Sequence, residues 1–199
     1  IMRHKEGNKR EDIIKAAIKI FAENGYHHAK IAKVAEVANV ATGSVYVYFE
    51  NKEKVLLEIF DEIWKDMYNN LKLLVEKKEV SPFEKFDALV DIIFDKFTES
   101  PEIALVMVNE QNHLLTHKKE KFTEYYDKFI ELGVNLIQEG IDKGVFNSGI
   151  DLNIYKHYLL GAFRDLVNTW AINRETFSLN SIRQSIKYFS KYGLCKNCM

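Results

Sequence analysis

A chain of 199 residues with 47% hydrophobic and 29% charged side chains has the composition of a soluble globular protein with one large or two small domains. Its net charge of −1 argues against a nonspecific nucleic-acid coat, and no run approaches the roughly 20 apolar residues of a membrane span, so no membrane partner is expected. No secretory leader is visible, which makes the cytoplasm the expected compartment.

The first 54 residues carry a net +3 and residues 55–199 a net −4. A mildly basic head on an acidic body fits a nucleic-acid reader carried by a domain that stays off the nucleic acid. Arg3, Lys5, Lys9 and Arg10 form a basic arm at the start. The first helix, roughly 8–24, shows the stripe Ile13, Ala16, Ala17, Ile20 and Phe21 and stops at Gly25. Ile31, Val34, Ala35 and Ala38 recur at three and four, giving a second helix over 30–37. Asn39 then stands where the chain turns sharply, because its short amide tolerates a left-handed backbone. A third helix over 41–48 turns Val45 and Phe49 inward and presents Thr42, Gly43, Ser44 and Tyr46. No acidic residue falls between Val37 and Phe49, as proximity to phosphates requires. Two short helices about a tight corner, with a small, polar, exposed turn on the second, read as a helix-turn-helix for the major groove.

A long fourth helix over 51–77 carries Leu56, Ile59, Phe60 and Ile63 and links this DNA-reading head to the rest of the chain. Ser81-Pro82-Phe83-Glu84 is a capping box with Pro at the first helical position, and Ser100-Pro101-Glu102 repeats the start signal. Helices over 82–98, 102–115 and 118–143 come next; Gly144 and Gly149 mark turns, and Asp151 and Ser178 cap helices over 152–173 and 178–192. The fold class is therefore all-α, about nine helices. Residues 1–50 form a three-helix reader, 51–77 a linking helix, 78–194 an effector-binding and dimerisation bundle, and 195–199 a tail.

Large apolar residues with polar ones set among them suggest a cavity in the bundle. Phe94, Phe97, Met107, Leu114, Phe122, Tyr126 and Phe129 supply apolar walls, and Phe163 and Trp170 add to them; ordinary helix packing is the alternative for each. Asn109, Gln111, Asn112 and His113 supply a polar end. The stripe Phe163, Leu166, Val167 and Trp170 beside Gly161-Ala162, with Ile182, Ile186 and Phe189 on the last helix, reads as the seam of a homodimer built by the last two helices.

Enzymatic chemistry is not expected. Glu110 and His113 have the Glu-x-x-His spacing of di-iron bundles, but no second such pair exists, so neither catalytic residues, metal nor cofactor is assigned. Cys195 and Cys198 are too few for a zinc site and fall in the tail. The alternative to a regulator is a helical ligand- or metal-binding bundle without operator binding.

Tyr46-Val47-Tyr48-Phe49-Glu50-Asn51-Lys52-Glu53-Lys54-Val55 and the upstream Phe21-Ala22-Glu23-Asn24-Gly25-Tyr26 resemble the signature of the TetR/AcrR-type transcriptional repressors. Asn39 replaces the usual Gly, and Ala29 and Ala41 stand where Ser or Thr is common. The resemblance implies a double-stranded DNA operator and a small-molecule effector as partners. It places Thr42, Gly43 and Ser44 near base edges, and His28, Lys30, Lys33, Tyr46, Tyr48 and Lys52 near phosphates. The stretch Gly161 to Leu179 is similar to the subgroup regulating fatty-acid degradation, which implies a long-chain acyl-CoA or other lipophile as effector.

Overall fold

The computed structural model describes residues 9–117 and 119–195, excluding the side chains of residues 112, 113, 115, 117 and 119–123. Among these residues the chain forms α1 (Lys9–His28), α2 (Ile31–Val37), α3 (Thr42–Tyr48), α4 (Lys52–Val75), α5 (Pro82–Glu99), α6 (Pro101–His117), α7 (Lys119–Asp142), α8 (Leu152–Ile172) and α9 (Leu179–Leu194). The caps are those that the sequence announces. Ser81 and Glu84 complete a capping box, Asp151 accepts from the amides of Asn153 and Ile154, and Ser178 accepts from Ser181.

The first helix departs from expectation. Helical structure resumes after Gly25 and runs to His28, with Gly25 itself at φ 70, ψ 151. That region is essentially closed to residues with a Cβ, so glycine permits the break rather than merely ending the helix. At the following corner Asn39 takes φ 54, the one positive-φ residue other than glycine among the described residues. Its predicted left-handed turn is observed, and it lets the Val40 amide reach back to the Ala35 carbonyl at 3.0 Å.

Ile13, Ala17, Phe21, Val34, Val45 and Phe49 bury the inner faces of the N-terminal helices, while Leu56, Ile59 and Phe60 make α4 fully buried along one side. The C-terminal bundle is organised by α4 lying along α7, with α5 packed on α7 and α9. Against it the N-terminal helices dock chiefly through α1 on α6, with α4 as the second support. Phe146 is fully buried after α7, bridges to Cys195 and packs on Phe83. The Asn147 amide also donates to the Leu194 carbonyl at 2.8 Å, so the chain is pinned as far as Cys195, which is disulfide-bonded; Cys198 lies outside the described residues. No helix among the described residues is long and apolar enough to cross a membrane.

Candidate nucleic-acid interface and effector cavity

Two short helices can present a reading surface only if their inner faces are fixed, and here they are. Val45 and Phe49 are buried, which turns Thr42, Gly43 and Tyr46 outward; Ser44 is half-buried at the edge of that face. A Cβ added at Gly43 would meet nothing within 4 Å, so this glycine answers no packing need inside the chain. Tyr46 is 52% exposed and Tyr48 40%. Neither α2 nor α3 has a side-chain N-cap: Lys30 and Ala41 occupy those positions and bond nothing there. The first amides of both helices therefore keep their donors for an outside acceptor. His28 and Lys30 are exposed beside them, and Lys33 is exposed but paired with Glu36 at 2.6 Å.

Within the bundle a cavity of about 440 Å³ is walled by α4 to α9, with Trp64, Leu89, Ile93, Val134, Ile137 and Leu160 among its apolar residues. Six of the sequence-nominated residues line it: Phe97, Met107, Gln111, Tyr126, Phe129 and Phe163. Lys156, His157 and Arg164 contribute basic groups from α8. Such a site, mostly apolar with few polar groups, suits a lipophilic molecule with a polar end.

Residues 13–59 match the family model described as bacterial regulatory proteins, tetR family, and residues 60–189 match the model of the YsiA-like protein C-terminal region. The chain belongs to the tetR family of bacterial regulatory proteins. It is a DNA-binding transcriptional regulator of all-α fold, with an N-terminal helix-turn-helix domain and a C-terminal ligand-binding bundle. The fatty acid metabolism regulator protein of Bacillus subtilis is 27% identical over 174 residues, covering 87% of this chain and 89% of that protein. The solved structure of the fatty acid degradation regulator FadR from Bacillus halodurans has a TM-score of 0.83 at 28% identity and covers 96% of this chain and 98% of its own. FadR from Bacillus subtilis, solved in complex with stearoyl-CoA, has a TM-score of 0.78 at 26% identity over 92% of this chain and 98% of its own.

In this TetR-family regulator several nominated residues do other work. Lys52 is the clearest case: its ammonium donates to the carbonyls of Tyr26 at 2.7 Å, His27 at 3.0 Å and Ala29 at 3.1 Å, and lies 4.6 Å from the Tyr26 ring centroid. An ammonium has three protons, so this one is fully committed to the corner between α1 and α2. Arg10 is likewise no free arm, since it pairs with Glu58 and with Glu62 at 2.6 Å and stacks on Phe49. Lys9 stands at the start of α1, and Arg3 and Lys5 lie outside the described residues.

The cavity wall also differs from expectation. Asn109 is exposed on the far side of α6. Phe94 is buried against Phe97 and Phe163, and Leu114 is fully buried; neither reaches the cavity wall. Trp170 is buried beneath Arg174 and also stands off the wall. Asn112, His113 and Phe122 lie outside the described side chains. Much of the nominated seam also turns inward: Val167, Trp170 and Ile182 are buried within the chain and Ile186 lines the cavity, while Gly161 and Phe189 are exposed. What lies outward instead is Ile154 and Tyr158 on α8 and Tyr188, Phe189 and Tyr192 on α9. Sequence reasoning also passed over Lys156, His157 and Arg164; their signal was basic character at i, i+1 and i+8 on an otherwise apolar helix.

Proposed function

We propose that this regulator is a homodimeric repressor, released from a near-palindromic operator when a small, largely apolar effector fills the bundle cavity. The reading head is residues 1–50, α4 is the link, and the bundle from about residue 78 binds the effector and the partner subunit. Thr42, Gly43 and Ser44 approach base edges, while His28, Lys30, Lys33, Tyr46 and Tyr48 contact phosphates. Lys52 acts indirectly, by fixing the corner that aims α2.

The observation that carries this reading is the outward presentation of an uncharged α3 turn over a buried Val45 and Phe49. The effector is a long-chain acyl-CoA or a comparable lipophile. The apolar cavity takes the chain, and Lys156, His157 and Arg164 take the anionic end, the role that sequence reasoning gave to α6. The Bacillus subtilis FadR solved with stearoyl-CoA supports that choice. The exposed Ile154, Tyr158, Phe189 and Tyr192 are the apolar face that a second copy covers, making a four-helix seam with two-fold symmetry.

Release requires only that the effector favour one conformation over the other; a coupling of about 1–3 kcal/mol suffices to change operator affinity by roughly 5- to 150-fold. The test is a mobility shift on the DNA upstream of the protein's own coding region, with and without stearoyl-CoA. Retardation that stearoyl-CoA reverses is the expected result. No retardation at any salt concentration leaves only a ligand-binding bundle, and retardation indifferent to every ligand that binds removes the release step.

A further inference from the structure

The third helix lacks the side chains that most often read bases. From Thr42 to Tyr48 it runs Thr-Gly-Ser-Val-Tyr-Val-Tyr, without an Arg, Lys, Asn, Gln, Asp, Glu or His. The bidentate pairs that pick out guanine and adenine in the major groove are therefore closed to α3, and so is a carboxylate accepting from cytosine. What remains is a set of hydroxyls, the backbone at Gly43 and one outward apolar side chain, Val47. A hydroxyl donates and accepts alike, so it discriminates weakly between bases.

Val47 is 82% exposed, more than any other large apolar residue among the described residues. An α-helix turns about 100° per residue, so the positions two before and two after buried Val45 both lie roughly 160° around the helix from it. Those positions are Gly43 and Val47. They stand one above the other on the crest of α3, as residues four apart do. Thr42 and Tyr46 leave the helix on one flank of that crest, Ser44 and Tyr48 on the other. A helical side chain covers the turn on its N-terminal side, which sets Val47 over Gly43. Gly43 has no side chain to meet it, and the space where a Cβ would stand is open. Val47 is thus the one side chain on the crest. Packing within the chain does not account for it, since it buries little and Val is a poorer helix former than Ala.

We propose that Val47 is a specificity-determining residue of the operator contact, seated against the 5-methyl group of a thymine in each half-site. This rests on α3 being the groove-reading helix, as proposed above. The thymine methyl is the apolar group that base pairs present in the major groove, and apolar contact is the readout left to an uncharged crest. Gly43 deepens that contact by letting the backbone settle toward the bases.

The probe is a DNA duplex selected by the full chain from a random-sequence pool. Each thymine of the selected duplex is replaced in turn by deoxyuridine, which lacks only the 5-methyl group. Affinities are read by fluorescence anisotropy for the unmodified chain and for Val47→Ala. One thymine per half-site should stand out, its replacement weakening the unmodified chain about fourfold, the loss expected for one buried methyl group. In Val47→Ala the same replacement should change affinity by less than about 1.5-fold, because the coupled partner is already gone. The variant's melting temperature should hold or rise, since Ala favours the helix. An equal deoxyuridine loss in both chains, or no thymine whose methyl group matters, overturns the proposal and spares operator binding. A pool from which no sequence is enriched removes the groove-reading helix as well.

Discussion

Glu110 reaches from the bundle to the reading head: its carboxylate Oε1 accepts the backbone N–H of Tyr26 at 3.0 Å. The acceptor is 94% buried on α6, and the donor follows the break at Gly25. Met107, Val108 and Gln111 on the same helix line the cavity, while Lys52 grips the Tyr26 carbonyl from α4. One residue of the reading head is thus held by both helices on which that head rests.

Cutting this bond tests whether it carries the effector's influence. Glu110→Ala removes the carboxylate that accepts the half-buried Tyr26 amide and should lower unfolding stability by about 1–3 kcal/mol, read from urea midpoints. It should also shrink the factor by which stearoyl-CoA weakens operator binding. Glu110→Gln keeps an acceptor at the same place and should restore most of that factor.

Lys52 and Lys30 should differ in a way that bare affinity conceals. Lys30 is exposed at the α2 N-terminus, so Lys30→Ala should reduce the slope of log affinity against log salt by about 1. Lys52→Met removes three internal hydrogen bonds instead. It should weaken DNA binding and lower the melting temperature with the salt slope unchanged. Fluorescence anisotropy over a salt series distinguishes the two.

Gly43→Ala should move stability and function in opposite directions. The new Cβ meets open space within the chain, and Ala in place of helical Gly stabilises by roughly 1 kcal/mol. On the proposed reading the same methyl group stands where backbone approaches the bases, so operator affinity should fall. A rise in melting temperature with unchanged affinity would take Gly43 off the contact surface.

Gly140→Ala should damage the bundle. Its Cβ would run into the ring of Phe146, which is fully buried and held edge-on by Phe83, so the ring has nowhere to move. Overpacking of this kind costs about 1–3 kcal/mol or more, measurable by chemical denaturation.

Acid should loosen the α4–α5–α7 junction through Glu139. Its carboxyl is held below the ordinary value of 4.5 first by the hydrogen bond from Lys143 and then by buried Lys85, which lies 3.3 Å away and also caps the Val75 carbonyl at 3.0 Å. A folded value below the unfolded one gives stability that is fully present above the unfolded value and lost as pH falls through the folded one. The stability difference between the unmodified chain and Glu139→Gln should therefore be flat near neutrality and vanish below the ordinary carboxylate range.

Much of the architecture was legible without coordinates because its causes are local. Apolar residues at three and four, Ser81 with Glu84, Asp151, Ser178 and Asn39 act within one or two turns of their own position, so helices, caps and the corner follow from neighbouring residues. The cavity was legible only in part. Met107 and Gln111 share α6 with Asn109 and Glu110, and composition alone does not say which of these faces the hollow, which the solvent and which another helix.

By itself the sequence determined the all-α class, the helix boundaries to within a few residues and the uncharged turn from Thr42 to Tyr46. Only the tertiary structure decided which of two apolar stripes on α8 and α9 is buried, and that Lys52 and Arg10 are spent inside the chain. The reason is range. Periodicity and capping act along a helix, whereas a helix with two apolar faces, or a long cation with many possible acceptors, takes its role from elements tens of residues away.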